Sequence, residues 1–351
     1  MSIYKQKGFS VVELMVALLL GLFLVSGVTG MYISSKQTYR MTDNLSRLQE
    51  SLRFSLEFIS RDIRMAGYLP CRFPPTNTNA ITNWNTTWFL DYFNFGIRGF
   101  EGSDVSFPPP FISNAVGGTD AVLIFKGGLY STSVNFNNDA TDTVTLQNPF
   151  PDSEFGLGEI AIVCDPRQAS MFQISGRNSA VGTLNYASSP TTIAPDNAIT
   201  NIGSYSNDAQ ITPYEPVIYF IAPSTQNPAI NSLKKRFFQS RLIGTIETAE
   251  MREEELLEGV ESMQILYGLD IDNDQIADRF EAANDIAVNE WPNVITVRLG
   301  LLMATGEEVT NQIDTNSYNV AGTIISAPTT PADRRLRYVV NTTINLRNRV
   351  Q

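Results

Sequence analysis

The sequence contains no histidine and only two cysteines among its 351 residues. The absence of histidine excludes Ser-His-Asp and Cys-His nucleophile pairs, His-ligated metal sites and the commonest general base near neutral pH. Two cysteines are also too few for a zinc site with four Cys ligands. Carboxylates alone can still support hydrolysis, so the composition argues against an enzyme without excluding one.

Basic residues are scarce as well. The 25 Lys and Arg stand against 36 Asp and Glu, which gives a formal net charge of −11 at pH 7. Because phosphate contacts need clustered Lys and Arg, this balance predicts that the chain has no nucleic-acid partner. A hydrophobic fraction of 43% excludes disorder of the whole chain. The length predicts one or two domains.

The longest apolar run lies at the N-terminus. Residues 1–8 are polar and carry Lys5 and Lys7, whereas residues 14–33 contain no charged side chain. A run of about 20 apolar residues crosses a bilayer as a helix, and the basic flank places the N-terminus in the cytoplasm. The alternative is a secretory signal peptide that is cleaved near Ser26 or Gly30.

Two features favour a retained helix over a signal peptide. Glu13 lies inside the apolar run, where a carboxylate costs about 2.5–3.5 kcal/mol. Beyond the run the chain continues as an amphipathic stripe, formed by Leu45, Leu48, Leu52, Leu56, Ile59 and Ile63. Gly67 and Pro70 end this pattern. The sequence therefore predicts one helix over residues 9–66, about 85 Å long, with a transmembrane half (9–33) and an amphipathic half (34–66).

Residues 67–351 are predicted to form one large β-rich head. Nine short segments rich in β-forming residues predict strands, at 120–126, 142–147, 158–164, 171–175, 217–222, 236–243, 262–269, 293–303 and 336–347. Strands without intervening helices predict an antiparallel sheet and an α+β fold. The polar stretches 73–90, 132–141 and 178–213 are predicted to be loops. The acidic run 253–255 is predicted to open a short helix.

The segment Gly8-Phe9-Ser10-Val11-Val12-Glu13-Leu14 resembles the class III signal of type IV prepilins and type II secretion pseudopilins. The resemblance implies that prepilin peptidase cleaves between Gly8 and Phe9 and methylates the new amine of Phe9. Residues 1–8 are then a leader peptide, and Glu13 is the fifth residue of the mature chain. A carboxylate is tolerated in a membrane when it is paired with a charge. Here the resemblance implies pairing with the Phe9 amine of a neighbouring subunit.

Further segments resemble PilW-type minor pilins of the type IV pilus, in order and spacing: residues 64–71, 254–270, 291–298 and 345–349. This resemblance implies the type IV pilin fold, in which a long helix packs on an antiparallel head. It implies a non-enzymatic protein that helps to prime pilus assembly and is incorporated at the pilus tip. The implied partners are other minor pilins, the major pilin and a large tip adhesin, and adhesion and twitching motility would be indirect consequences.

The implied location is the inner membrane, with a single span and the head in the periplasm, and later the extracellular pilus. Two alternatives stay open. One is a J-like minor pseudopilin of a type II secretion system, which shares the fold and the leader. The other is a membrane-tethered enzyme or calcium-dependent binding module that uses the helix only as an anchor.

Cys71 and Cys164 both follow the membrane segment and therefore face an oxidising compartment. Their location and even number predict a disulfide, and the alternative is two buried free thiols. A bridge across this separation is worth on the order of 4–5 kcal/mol in the chain-entropy model.

Residues 270–281 form an acidic segment with the ligand spacing of an EF-hand loop. The candidate ligands are Asp270, Asp272, Asp274, the carbonyl of Ile276, Asp278 and Glu281. Hard oxygen donors at this spacing predict a Ca²⁺ site, and by the resemblance many PilW-type proteins carry an Asp-rich loop here. Two features depart from the EF-hand: Gln275 replaces the turn glycine, and the preceding residues alternate like a strand. The alternative is a solvated acidic turn.

Overall fold

A computed structural model describes residues 8–71, 76–81, 96–102, 112, 114–188, 196–198, 201–243, 246–329 and 332–348. Of the predicted leader, only Gly8 lies within these residues, and most of the predicted loop 73–90 lies outside them. The described chain begins with one long helix, α1 (Val11–Arg64). A head of nineteen described strands and two short 3₁₀ helices, Ala283–Asp285 and Val288–Asn293, follows it.

The strands fall into three sheets and a separate hairpin. The strands in chain order are β1 (Thr76–Asn79), β2 (Ile97–Phe100), β3 (Ala121–Ile124), β4 (Thr132–Asn138), β5 (Thr143–Leu146), β6 (Ile160–Cys164), β7 (Gln168–Gln173), β8 (Gly176–Asn178), β9 (Thr183–Asn185), β10 (Gln210–Pro213), β11 (Val217–Pro223), β12 (Asn231–Ile243), β13 (Ile246–Glu258), β14 (Val260–Leu269), β15 (Arg279–Glu281), β16 (Val294–Ala304), β17 (Ser317–Val320), β18 (Thr323–Ser326) and β19 (Arg337–Asn345).

The sheets have eight, five and four strands. Their strand orders are β1-β7-β6-β10-β4-β5-β9-β8, β13-β12-β11-β3-β2 and β15-β14-β16-β19, and β17 pairs only with β18. The β1–β7 pair is parallel, and the other strand pairs of the described residues are antiparallel. A long N-terminal helix followed by a mostly antiparallel head confirms the predicted α+β pilin fold.

Helix α1 begins and ends where its sequence provides caps. Ser10 is the N-cap and forms a capping box with Glu13, which satisfies backbone donors that have no partner inside the helix. Just past the other end, Gly67 has φ +71°, a left-handed conformation that glycine adopts without steric cost. Its amide donates to the Phe125 carbonyl at 2.7 Å, so the chain turns directly into the head.

The five-stranded sheet lies between α1 and the eight-stranded sheet. Since side chains alternate across a strand, Tyr219 and Ile221 of β11 pack in the core cluster that contains Ile59 and Ile63 of α1. Ile218 and Phe220 face the other way and pack with residues of β6 and β7. The eight-stranded sheet adds a separate core cluster of its own. The four-stranded sheet completes the first cluster, so α1 packs on two sheets at once.

The nine predicted strands correspond to β3, β5, β6, β7, β11, β12, β14, β16 and β19, although their ends shift by a few residues. The remaining strands were not predicted. Strand β4 lies in the predicted loop 132–141. Strands β9 and β10 lie in the predicted loop 178–213, and β8 ends at its first residue. These strands are short and rich in Asn, Thr and Ser, so they lack the apolar runs on which the prediction depended.

The predicted short helix at residues 253–255 is wrong, because these residues belong to β13. The cause is a match of charges between strands. Residues 234–236 of β12 are basic and lie directly opposite residues 253–255 in the antiparallel register. The Lys234 ammonium and the Arg236 guanidinium each lie 2.8 Å from a carboxylate oxygen of Glu253. Opposite charges on facing positions stabilise a strand pair, and this tertiary pairing outweighs the helix signal.

Candidate functional site

The N-terminal site comprises Gly8, Phe9 and Glu13. Phe9 is 88% exposed and precedes the first helical turn. The Ser10 amide donates to Glu13 Oε2 at 3.0 Å, and the Glu13 amide donates to Ser10 Oγ at 3.2 Å. Within the described residues no Lys or Arg pairs with Glu13. The carboxylate therefore lies one turn from Phe9 and is free to meet a cation from outside its own chain.

The first half of α1 has no protein around it. Its apolar side chains are exposed along the segment, including Leu14, Leu18, Leu22, Phe23 and Val28. Among the described residues, α1 is the one helix that is long and apolar enough to cross a membrane, by length and composition. Leu48 is the first residue of α1 that is buried against the head. The two halves therefore differ in environment within one continuous helix.

A buried ion pair fixes the second half of α1 to the head. The Asp62 carboxylate accepts from the Lys126 ammonium at 2.8 Å and from the Tyr219 hydroxyl at 2.6 Å. Burial alone would raise the pKa of Asp62, but Lys126 and the hydrogen bonds from Lys126 and Tyr219 hold it below its usual value. Burial, and then the charge of Asp62 and the hydrogen bond to it, raise the pKa of Tyr219. Asp62 was not among the predicted site residues, although a carboxylate three positions after Ile59 falls on the apolar stripe.

A second buried cluster centres on Arg337, the first residue of β19. Its guanidinium, which is not exposed, lies 2.7 Å from Glu261, 3.0 Å from Asp314 and 2.7 Å from Asp333. Burial lowers the pKa of Arg337, but the surrounding carboxylates outweigh burial and raise it. In turn, hydrogen bonds from Arg337 lower the pKa of Asp333. This cluster ties β19 to the start of β14 and to the segment that follows β16.

A third cluster inside the head contains the carboxyl groups of Asp120 and Glu101. Asp120, just before β3, accepts from the amides of Gly102 at 3.1 Å and Ile265 at 2.8 Å. Glu101 accepts from the Ala283 amide at 2.7 Å and hydrogen-bonds Asp120. Burial and then the neighbouring Glu101 raise the pKa of Asp120 to about 7. The folded chain therefore binds a proton here that the unfolded chain releases in mildly acidic solution.

We expect this pair to make stability depend on pH. The pKa of Asp120 in the folded chain lies above its pKa in the unfolded chain. Its contribution to the free energy of unfolding is therefore fully present below about pH 4 and is lost as pH rises through 7. Glu101→Gln removes the like charge and lowers the pKa of Asp120. The variant should gain ~1 kcal/mol in free energy of unfolding at pH 8 and gain nothing at pH 4.

Urea unfolding of the full-length chain in detergent at both pH values measures this difference. Glu307→Gln, at an exposed glutamate, serves as the control and should leave both values unchanged. An equal gain for Glu101→Gln at both pH values would contradict the assignment, because an effect of packing does not depend on pH.

The structure contains the predicted disulfide between Cys71 and Cys164, with the two Cα atoms 6.0 Å apart. Cys71 follows α1 by seven residues, and Cys164 ends β6 and is buried. The bond therefore joins the end of the helix to the eight-stranded sheet, across 93 positions of sequence.

The acidic segment forms the loop between β14 and β15. Carboxylate oxygens of Asp270, Asp272 and Asp278 lie within 4.8 Å of one another. Asp270 is buried, whereas the other two are exposed. Three carboxylates at this separation repel one another, and hard oxygen donors are the ligands that Ca²⁺ prefers. The donor set therefore fits the predicted ion.

The other predicted ligands are placed differently. The Asp274 carboxylate accepts from the Ile276 amide at 2.8 Å. Glu281 lies on β15, where its carboxylate is 3.1 Å from Arg279. Gln275 has φ +70°, so it adopts the left-handed conformation that the EF-hand normally assigns to glycine. The loop thus makes its sharp turn without glycine, between two strands instead of two helices.

Comparison with known families gives two matches. The model described as type IV pilus-assembly protein W matches residues 218–348. The prokaryotic N-terminal methylation motif matches residues 3–29. Residues 218–348, which we call the PilW-family region, are therefore similar to that family. No curated protein and no solved structure matches the chain.

The PilW-family region runs from β11 past β19 and contains the acidic loop and the Arg337 cluster. All strands of the eight-stranded sheet precede it, as do both cysteines. Together the two matches support a type IV pilin-like role in pilus assembly, anchored by the N-terminal helix. Pilins are structural proteins, and the family implies contacts with other pilins and with the pilus machinery.

Proposed function

We propose that the chain is a minor pilin that takes part in priming type IV pilus assembly and is incorporated at the pilus tip. The observation that carries the proposal is the division of α1, whose apolar half is bare while its second half is docked on the head. Bare apolar helix is unfavourable in water. It is stable in a bilayer before assembly and among other helices after it.

The N-terminal geometry supports prepilin-type processing in this proposal. Prepilin peptidase cleaves between Gly8 and Phe9, and the amine of Phe9 in a neighbouring subunit pairs with Glu13. The lack of a cation partner for Glu13 in its own described chain fits this arrangement. Before cleavage the N-terminus is cytoplasmic and the head is periplasmic, and the head becomes extracellular in the pilus.

The size of the head supports a place at the tip. The head adds an eight-stranded sheet to the sheets that pack on α1. In a helical filament each shaft subunit is covered by the next one, whereas a subunit at the end can carry a bulky head without crowding a neighbour. The same position leaves the head free to contact a large tip adhesin.

Piliation of the producing cells tests the proposal. Deletion of the gene together with any paralogues should abolish pili, and Glu13→Ala should fail to restore them, whereas Glu57→Ala should restore them. Glu57 is an exposed acid on α1 outside the apolar run. Mass spectrometry of sheared pili should find a peptide that begins at methylated Phe9. Normal piliation of the deletion strain would refute priming, and loss of exoprotein secretion instead would indicate the J-like pseudopilin.

We also propose that the β14–β15 loop binds Ca²⁺ through Asp270, Asp272 and Asp278. Asp274 and the Ile276 carbonyl complete the set after a small rearrangement of the loop, and Glu281 is the candidate twelfth-position ligand. The ion would offset the mutual repulsion of the carboxylates and fix the loop against β15.

Calorimetric titration of the full-length chain in detergent with Ca²⁺ tests this second proposal. At a free concentration 100 times the Kd, the ion should raise the free energy of unfolding by about 2.7 kcal/mol. Asp270→Ala and Asp274→Ala should lose both the heat and the shift in Tm, whereas Glu307→Ala should keep them. No heat and no shift for the parent chain would end the proposal.

A further inference from the structure

One loop of the head extends along α1 to the end of the membrane segment. Gln37 lies four residues beyond Ile33, the last residue of the uncharged apolar run. Its side-chain amide exchanges two hydrogen bonds with the side chain of Asn311, and in one of them Asn311 Nδ2 donates to Gln37 Oε1 at 3.2 Å. Asn311 belongs to the loop between β16 and β17. This pair therefore places the loop at the height where the apolar part of α1 ends.

The distance between this loop and the bilayer core is short. Four residues of helix span about 6 Å. A bilayer is about 40–45 Å thick with its headgroups and about 30 Å thick without them, so the headgroup layer on each side measures about 5–8 Å. When the apolar run of α1 spans the core, Asn311 therefore lies at the level of the lipid headgroups.

Ile313 is an apolar side chain that this loop holds outwards. It is 52% exposed, although its neighbours on both sides are tied to the head. The Thr310 amide donates to the Arg334 carbonyl at 3.1 Å, and the Asp314 amide donates to the Asp333 carbonyl at 3.0 Å. The exposure of Ile313 is therefore a property of the folded head.

The segment 309–316, which the structure describes throughout, presents no unpaired charge. Asp314 is its one charged residue, and the Asp314 carboxylate lies 3.0 Å from the guanidinium of Arg337 inside the head. The exposed side chains of the segment are neutral, namely Asn311, Gln312, Ile313, Thr315 and Asn316. Neutral side chains are not repelled by anionic headgroups, and an isoleucine gains from leaving water for the interface.

The exposed face of α1 provides cations at the same height. Lys36 and Arg40 are exposed, and within the described residues neither forms an ion pair. Tyr39, between them in sequence, is 72% exposed. Lys, Arg and Tyr are side chains that suit a membrane interface, because their apolar parts face the lipid while their polar ends reach headgroups and water. Helix and loop therefore present complementary parts of one interfacial surface.

We propose that the loop between β16 and β17 rests on the periplasmic surface of the bilayer beside α1, with Ile313 in the interface and Lys36 and Arg40 on lipid phosphates. The inference rests on the proposed function, because it requires α1 to span the membrane. A single apolar helix fixes neither its tilt nor its rotation in a bilayer, and interfacial contacts set both. The loop thus orients the head before assembly, and the contact is broken when the subunit leaves the membrane for the pilus.

Spin labelling of the full-length chain in vesicles tests the inference. A nitroxide is attached to Ile313→Cys in vesicles of equal parts phosphatidylethanolamine and phosphatidylglycerol. The native cysteines are joined to each other, so only the introduced thiol reacts. Collision rates are then measured with oxygen, which concentrates in lipid, and with a nickel chelate, which stays in water. We expect the ratio of the oxygen rate to the nickel rate to be several-fold higher at position 313 than at an exposed apolar position far from the membrane.

Leu129→Cys provides that matched control. Leu129 is 86% exposed and lies three residues after Lys126, which contacts Asp62 near the end of α1. Asp62 is 25 residues beyond Gln37, about 37 Å along the helix. Equal ratios at positions 129 and 313 would overturn the inference, as would a label at 313 that neither reagent reaches, because that result indicates a protein contact.

Removal of the cations tests the role of the phosphates. Lys36→Gln combined with Arg40→Gln should lower the ratio at position 313 several-fold. Arg53→Gln combined with Arg61→Gln removes the same charge from exposed positions farther along α1 and should leave the ratio unchanged. An equal ratio in the two double variants would overturn the assignment of Lys36 and Arg40 to lipid phosphates.

A label inside the apolar run separates this inference from the proposed function. Leu22→Cys reports whether α1 is inserted, since Leu22 lies within the uncharged stretch. A label at 22 that oxygen reaches and the nickel chelate does not, together with a ratio at 313 equal to that at 129, would refute the loop contact and leave the proposed function intact. A label at 22 that the nickel chelate reaches freely would show that α1 does not span the bilayer, and the proposed function itself would fail.

Discussion

Replacing Arg337 by methionine should lower the free energy of unfolding of the head by about 3–5 kcal/mol. The substitution leaves Glu261, Asp314 and Asp333 close together around a position that no longer carries a positive charge. Removing one partner of a buried ion cluster is costly because the remaining charges stay desolvated and also repel one another. Methionine keeps most of the side-chain volume, so the loss reports the charge more than the packing.

The pH dependence of this loss distinguishes charge from packing. The pKa values of Asp314 and Asp333 are lowered in the fold, so their contribution is present near neutral pH and is lost as pH falls below their ordinary values. Urea unfolding at pH 7 and at pH 4 should therefore show a smaller difference between Arg337→Met and the parent at pH 4. Arg334→Met, at an exposed arginine, should cost little at either pH. Equal losses for the two arginine variants would refute the role of the cluster.

Loss of the disulfide should have a comparable effect, on the order of 4–5 kcal/mol in the chain-entropy model. The bond closes a loop of 93 positions, and opening it returns conformational freedom to the unfolded chain. The loop contains strands β1 to β5 and most of β6. Loss of the disulfide therefore affects both the five-stranded and the eight-stranded sheets. We expect Cys71→Ala with Cys164→Ala to unfold at a clearly lower urea concentration than the oxidised parent.

Reductant provides the control for the double alanine variant. Dithiothreitol should lower the stability of the parent nearly to that of the variant and should not affect the variant itself. The small difference in stability that remains between the reduced parent and the variant measures the packing of the two cysteine side chains, since Cys164 is fully buried. A parent whose unfolding midpoint does not respond to reductant would show that the bond contributes no stability.

The sequence predicted the elements whose signal is local. The stripe from Leu45 to Ile63 specifies a helix because neighbouring turns bring residues three and four apart onto one face. Strands such as β11 and β16 are runs of β-branched and aromatic residues, which predict extended chain without knowledge of a partner. The cysteine pair was also predictable, because two cysteines in an oxidising compartment allow a single intramolecular pairing.

Elements that depend on a partner strand were not predictable in this way. Residues 253–255 are acidic and look like the start of a helix, and they form a strand because residues 234–236 provide the opposite charges. The polar strand β4 likewise extends because β5 and β10 pair with it. In both cases the free energy comes from pairing with another strand, and the pattern within one strand does not contain that information.

The same distinction holds for the sites. The sequence by itself determined the N-terminal motif, the division of α1 into apolar and amphipathic halves, and the spacing of the acidic loop. Only the tertiary structure decided that Asp62 meets Lys126 and that Arg337 contacts three carboxylates. The physical reason is range: helix periodicity and loop spacing act over a few residues, whereas burial, ion pairing and surface shape arise from parts of the chain that only folding brings together.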